Sequence, residues 1–258
     1  MIAFFVSIQP LAAKVVFERT IDAQSIDGVS FSDIQDVSLS ANQLLLSTQK
    51  ELITIGLKNF QLQHHYVLTG KNQVFDNKGI SGLAALPLNR TLLVNAKENR
   101  WAIVNQSGKA LVAIGHEGKQ EGELSEPIDI AYSQQRRVYI LEKGNKRVSV
   151  FAPDGVFLLS FGDNSLEKDV NLDAPSNISV DQWERIYVLD HAKGGRISIY
   201  SSKGKVLKQV LAKDLQAYFP KKPKLQALDV TLDGRLILQD KNSGKIIFFF
   251  IDANHTIF

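Results

Sequence analysis

The chain repeats itself, and the repeat restricts its folding more than any single residue does. Residues 122 to 162 hold four short apolar runs, Ile128 to Tyr132, Val138 to Leu141, Val148 to Phe151 and Val156 to Phe161. They are divided by Ser-Gln-Gln-Arg-Arg, by Glu-Lys-Gly-Asn-Lys-Arg and by Ala-Pro-Asp-Gly. Each run is too short for a helix, so four strands joined by tight turns make an antiparallel meander. Residues 172 to 211 repeat it, with IYVLD for VYILE and RISIY for RVSVF, and looser copies span 31 to 68, 79 to 115 and 225 to 258. A period of roughly 45 to 50 residues with four strands per unit predicts an all-β β-propeller.

A column of turn residues supports the register independently of hydrophobicity. Between the third and fourth strands stand Lys58-Asn59, Ser107-Gly108, Asp154-Gly155, Lys203-Gly204 and Ala253-Asn254. Gly and Asn are the residues that tolerate the positive φ of a tight hairpin. The remaining units predict strands at Ile34 to Leu39, Leu44 to Leu46, Leu52 to Ile55 and Tyr66 to Leu68, then at Leu86 to Leu88, Leu92 to Val94, Trp101 to Val104 and Ala110 to Ile114.

The order Pro, polar, alternating apolar, Tyr-Ile-Leu-Glu, Gly-Asn-Lys-Arg-Val-Ser-Val-Phe, Asp-Gly and Phe-Gly resembles the NHL repeat. Units 122 to 162 and 172 to 211 match closely and three are degenerate. The resemblance implies a six-bladed NHL-type propeller over residues 14 to 258 with its last blade incomplete and the chain truncated at its C-terminus. A five-bladed ring is the alternative. Propellers of this kind serve as binding platforms, as RNA-binding modules and occasionally as enzymes.

Residues 1 to 13, MIAFFVSIQPLAA, read as a signal peptide processed near Ala13, which places the protein outside the cytoplasm, periplasmic or secreted. No Lys or Arg precedes the apolar run, so an extra N-terminal strand in a cytoplasmic protein is the competing reading. The run is short of the roughly 20 apolar residues that a membrane span needs. Lys14 to Ile21 resembles a fourth strand and is expected to close the ring against the last blade.

Thirty basic and 27 acidic side chains leave a net charge of +3, too balanced for a strong phosphate-binding field, so nucleic acid is not the expected partner. The absence of cysteine excludes disulfides, thiolate catalysis and Cys-ligated zinc. Neither a G-x-S-x-G elbow nor a Walker or dinucleotide motif occurs. The five histidines lack ligand spacing, including a zinc site like that of peptide-amidating lyases with NHL-like repeats.

The remaining candidate is a column aligned at the start of each first strand: Asp36, Ala85, Asp129, Asn177 and Asp229. First strands line a propeller's channel, so Asp36, Asp129, Asn177 and Asp229 are expected to converge there. They could wet the channel and satisfy backbone groups, attract a cation of a partner, or hold Ca²⁺, which prefers oxygen ligands. The arrangement is similar to that of gluconolactonase-like propellers, where such residues bind a catalytic divalent metal, but no general base is identifiable here. A second column, Glu142, Asp190 and Asp240 facing Arg147, Arg196 and Lys245, reads as a structural clasp because it recurs with the repeat. Two connections, 115 to 127 with His116 and 212 to 224 with Phe219, cross one face.

The reading is therefore a non-catalytic module, with no catalytic residue, no dedicated metal site and no required cofactor. It presents Asp36, Asp129, Asn177, Asp229, His116 and Phe219 to a protein, peptide or glycan. A metal-dependent hydrolase or lactonase is the second reading and an RNA-binding NHL domain the third.

Overall fold

Short apolar runs, continuous or alternating, let a strand bury both faces or one and are too short for a helix, so these segments pair as strands. The computed structural model describes residues 2–4, 19–21, 34–39, 43–56, 58, 61–71, 73–163, 170–218, 223–231, 235–240 and 246–250. Strands β1 (Ile2–Phe4) and β2 (Arg19–Ile21) precede a first sheet of β3 (Asp36–Leu39), β4 (Gln43–Ser47), β5 (Glu51–Gly56) and β6 (Leu62–Val67). The second sheet holds β7 (Ile80–Leu86), β8 (Arg90–Asn95), β9 (Arg100–Val104) and β10 (Ala110–Ile114). The third holds β11 (Pro127–Tyr132), β12 (Val138–Glu142), β13 (Arg147–Phe151) and β14 (Phe157–Phe161). The fourth holds β15 (Pro175–Val180), β16 (Ile186–Asp190), β17 (Arg196–Tyr200) and β18 (Val206–Leu211), and the fifth β19 (Leu225–Val230), β20 (Arg235–Asp240) and β21 (Ile246–Phe250).

Each of the five sheets is an antiparallel meander in chain order. Their first strands contact one another in succession, β3 to β7, β7 to β11, β11 to β15 and β15 to β19. The sheets are the blades of a β-propeller, with the first strands innermost. Among the described residues no helix is long and apolar enough to cross a membrane.

The core lies between blades rather than in one place. Trp101, Leu92 and Val94 of the second blade pack with Ile130, Ile140 and Phe151 of the third, and Tyr139, Leu141 and Val150 of the third with Ile178, Ile186 and Tyr200 of the fourth. A middle strand is thus covered on both sides, which is why β12 and β16 are buried at every position and read as continuous apolar runs. Outer β10 and β14 have one face toward solvent and alternate.

The structure moves several boundaries. The inner strand of the second blade is Ile80–Leu86, not Leu86 to Leu88, because Leu88 and Asn89 (φ 64° and 52°) form a tight turn that leaves Leu88 85% exposed. Small residues at Ser81 and Gly82 hid the start of that strand. The outer strand of the first blade begins at Leu62 rather than Tyr66, masked in sequence by two histidines. Among the described residues Arg19–Ile21 pairs with Ile2–Phe4 and not with the fifth sheet; residues 14 to 18 of the expected closing strand lie outside them. Asn59, Asn254 and the end of the fifth unit, residues 251 to 258, lie outside the described residues.

Gly108, Gly155 and Gly204 have φ of 75°, 94° and 77°, as the turn column predicts. A second reason is tertiary. A Cβ at these positions would run into Tyr66, Ile114 and Phe161, the outer-strand side chains of the preceding blade.

Candidate functional site

The inner edge of each first strand has backbone N–H groups with no further strand to pair with, and buried donors of this kind need acceptors. The channel side chains supply them. Asp36 accepts the N–H of Val37 at 2.7 Å and, across the blade boundary, the N–H of Leu83 at 2.7 Å. Asp129 does the same one boundary apart, accepting from Ile130 and from Ile178 of the next blade, both at 2.8 Å. One rung further along, Ser38 accepts the N–H of Ala85, and Ser179 accepts that of Val230 while donating to Asp229. The first blade is stapled to the second, the third to the fourth and the fourth to the fifth through the channel wall.

Ladder pairing shows which residues are equivalent. Opposite Ser47, Val94, Leu141, Leu189 and Gln239 stand Asp36, Gly82, Asp129, Asn177 and Ala227. Asp229 belongs one rung on, with Ser38, Ala84, Ala131 and Ser179, and Ala85 falls three residues beyond Gly82. The sequence alignment of Ala85 and Asp229 with Asp129 was therefore out of register. A shift of two residues keeps a side chain on the same face of a strand, so Asp229 still points into the channel, whereas a shift of three does not. Gly82 has its own reason, since a Cβ there would lie 2.8 Å from the Asp129 Cα.

Three carboxyls consequently share the channel. Burial pushes Asp36 up to about 7, against the pull of its two N–H donors and with a further push from Asp229. Burial and then the charge of Asp36 raise Asp129 well above the usual carboxylate range. Asp229 is accessible to channel solvent but densely surrounded by protein, and that surrounding raises it too. Asn177 accepts a hydrogen bond from Ser176 at 3.1 Å. Both oxygens of Asp36 and both of Asp129 are engaged by backbone donors. No group of three His, Asp or Glu side chains among the described residues is arranged to hold a metal.

The second column lies at the last residue of the second strand, next to the Leu141 and Leu189 that face the channel residues, and beneath the connections between blades. Glu142, 0% exposed, accepts from Arg147 at 2.8 Å, Ser149, Asn145 and the N–H of Ser125. The Arg147 guanidinium in turn donates to the carbonyls of Lys119, Gln120 and Glu123. In the fourth blade Asp190, also 0% exposed, binds Arg196 and accepts the N–H groups of Asp173, Ala174 and Ala192, while Arg196 donates to the Asn171 carbonyl. Desolvation opposes ionisation of Asp190, but these donors together hold its carboxyl below the usual range. The pairs are clasps that tie each connection to the blade beneath it.

His116 sits on the connection so held. It is exposed and lies 3.4 Å from Glu123, whose carboxyl is lowered by the Gln120 N–H and by His116. Its neighbours Glu117, Lys119, Gln120 and Glu121 are exposed as well. The structure thus brings Asp36, Asp129 and Asp229 to the channel and puts Asn177 on the rung of Asp36 and Asp129, with His116 on the rim above. Phe219 lies outside the described residues; the adjacent Tyr218 is half exposed and packs edge-on against Phe249. Ser38 and Ser179 were missed, although each follows two residues after the Asp36 and Asn177 of its own strand.

No family model matches the chain. The protein brain tumor of Drosophila melanogaster is 27% identical over 143 residues, 54% of this chain, which spans only 13% of that protein's length. A streptogramin B lyase structure superposes with a TM-score of 0.62 at 11% identity, covering 90% of this chain and 69% of that one. The virginiamycin B lyase of Staphylococcus aureus with quinupristin gives 0.61 at 13% identity, covering 96% and 74%. A Bacteroides caccae protein of unknown function gives 0.58 at 15%, covering 87% and 79%. At these identities the likeness is one of fold, and the chain is a β-propeller.

Proposed function

We propose that the protein is a non-catalytic binding module that works outside the cytoplasm and presents the face bearing the channel mouth and the interblade connections to a protein, peptide or glycan. One observation carries this reading. The connection displaying His116, Glu117, Lys119 and Glu121 is gripped from below by the buried Glu142–Arg147 pair through three of its carbonyls. A loop fixed in this way loses little freedom when a partner docks, which is how preorganisation raises affinity. The channel carboxyls favour a partner with a cationic group, more strongly above pH 7, where Asp36 ionises.

Surface plasmon resonance against panels of cationic peptides and glycans tests the reading. A ligand of this face loses binding on His116→Ala with Glu121→Lys and keeps it on Trp183→Ala, a change at the opposite end of the strands. Binding insensitive to the first pair and lost on the second would place the function elsewhere. The rival metal-dependent hydrolase predicts a Ca²⁺-induced rise in Tm that disappears in Asp129→Asn/Asp229→Asn, and that result would overturn the non-catalytic reading.

A further inference from the structure

In a four-stranded meander the turns after the first and third strands gather at one end, here the end of the ring opposite His116. The two ends differ in charge. Where His116 stands, Glu117, Glu121 and Asp173 are exposed among Lys119, Lys143 and Lys146. At the other end Lys58, Lys109, Arg136, Lys203 and Lys205 are exposed, and Asp154 is the one exposed acid among the described residues outside the channel. Asp181 and Glu184 belong to this end too, but they are buried and paired with Arg185 and Arg137. The net charge of +3 therefore hides a cationic face.

Three large apolar side chains are exposed at the same end. Leu39 ends β3 and is 51% exposed, Leu88 stands in the turn after β7 at 85%, and Trp183 in the turn after β15 at 57%. Leu88 holds φ at 64°, a backbone region that favours Gly and Asn and is costly for leucine, and it gains no burial there. Trp183 is held firmly: Asp181 accepts its N–H at 3.0 Å and that of Arg185 at 2.9 Å, and the Arg185 guanidinium lies 4.9 Å from the centre of the indole ring. Glu184 of the same turn accepts from Ser133 and Tyr139 of the preceding blade, which ties it to the turn that carries Arg136. Apolar tips on fixed turns among cations suit an anionic bilayer: leucines and indole enter the boundary between headgroups and acyl chains while Lys and Arg meet the phosphates. A nucleic acid would need several rings on which to stack its bases, and of these three tips only Trp183 offers one.

We propose that this end of the propeller docks on an anionic membrane surface, with Leu39, Leu88 and Trp183 in the interfacial layer and Lys58, Lys109, Arg136, Lys203 and Lys205 on the lipid phosphates. The face bearing His116 then points away from the bilayer, so the inference stands independently of the partner proposed for that face.

Sedimentation of the full chain with vesicles tests it, comparing phosphatidylcholine alone with phosphatidylcholine carrying roughly 30% phosphatidylglycerol. The chain sediments with the anionic vesicles and not with the neutral ones, and roughly 0.5 M salt releases it by screening the exposed charges. Of the two tryptophans Trp101 is 0% exposed, so the blue shift of emission on binding belongs to Trp183. Leu88→Asn suits the backbone at its position, so its Tm is at least that of the wild type while vesicle affinity falls roughly tenfold, the effect of one leucine no longer buried in the interface. Arg136→Glu/Lys203→Glu abolishes sedimentation. The proposal is overturned if anionic vesicles bind the chain no better than neutral ones, or if Leu88→Asn binds as tightly as the wild type. It is overturned too if the emission does not shift on the vesicles, the result expected were residues 1 to 13 the anchor. It also fails if polyuridylic acid, at equal phosphate, shifts Trp183 emission and strips the chain from the vesicles, the result expected of a nucleic-acid face.

Discussion

Asp36 and Asp190 are both aspartates at blade ends of the same ring, and the structure holds them in opposite states. In the channel, burial and then neighbouring carboxyls push Asp36 up to about 7 and raise Asp129 well above the usual carboxylate range, with only backbone N–H groups for compensation. At the rim, an arginine and three N–H donors keep Asp190 ionised despite complete burial. Burial alone therefore does not decide the charge of a carboxyl; the donors around it do, the Ala192 N–H first and then Arg196 at the rim. The same contrast separates two jobs. Channel carboxyls join one blade to the next, whereas rim carboxyls bind a connection to its own blade.

The strongest way to break the comparison is to give the rim the channel's condition. Arg147→Met leaves Glu142 buried without its cation and is expected to cost about 3–5 kcal/mol, read from urea unfolding. Adding Glu142→Leu removes the stranded charge, so the double variant should recover much of that loss; a double variant as unstable as the single would mean the grip on the loop carbonyls, not the ion pair, sets the stability. In the channel, Asp129→Ala removes an acceptor from the Ile178 and Ile130 N–H groups and should cost about 1–3 kcal/mol. It loses less than the rim variant because mutual repulsion among carboxyls is relieved at the same time.

The smallest effect sharpens the comparison through pH. Asp36 has a raised folded-state pKa, so its proton stabilises the fold fully below the unfolded value of 3.8, and that contribution is lost as pH rises toward about 7. Asp190, held low, contributes above the unfolded value and loses its contribution as pH falls through the folded one. Unfolding free energies measured between pH 4 and 8 should fall less steeply with rising pH in Asp36→Asn than in the wild type. An unchanged slope would show that Asp36 is ionised in the channel.

Much of this architecture was legible because it repeats. VYILE and IYVLD announce middle strands covered on both sides, and the glycines at 108, 155 and 204 mark hairpins whose backbone demands them. The clasp was legible for the same reason, since Glu142 with Arg147 recurs as Asp190 with Arg196. Where copies degenerate the reading slipped. Leu88 looked like strand but lies in a turn, and Asp229 was placed one rung too early because only two of the five units match closely.

The sequence by itself determined that the chain forms four-stranded meanders of a propeller, because alternation and turn chemistry are local properties that each unit states again. Tertiary structure alone decided which groups meet across blades: Asp36 with the Leu83 N–H, Gly82 with the backbone of Asp129, Gly155 with Ile114. Those meetings join residues from different units, and their charge states and packing depend on what lies across a boundary that no single repeat encodes.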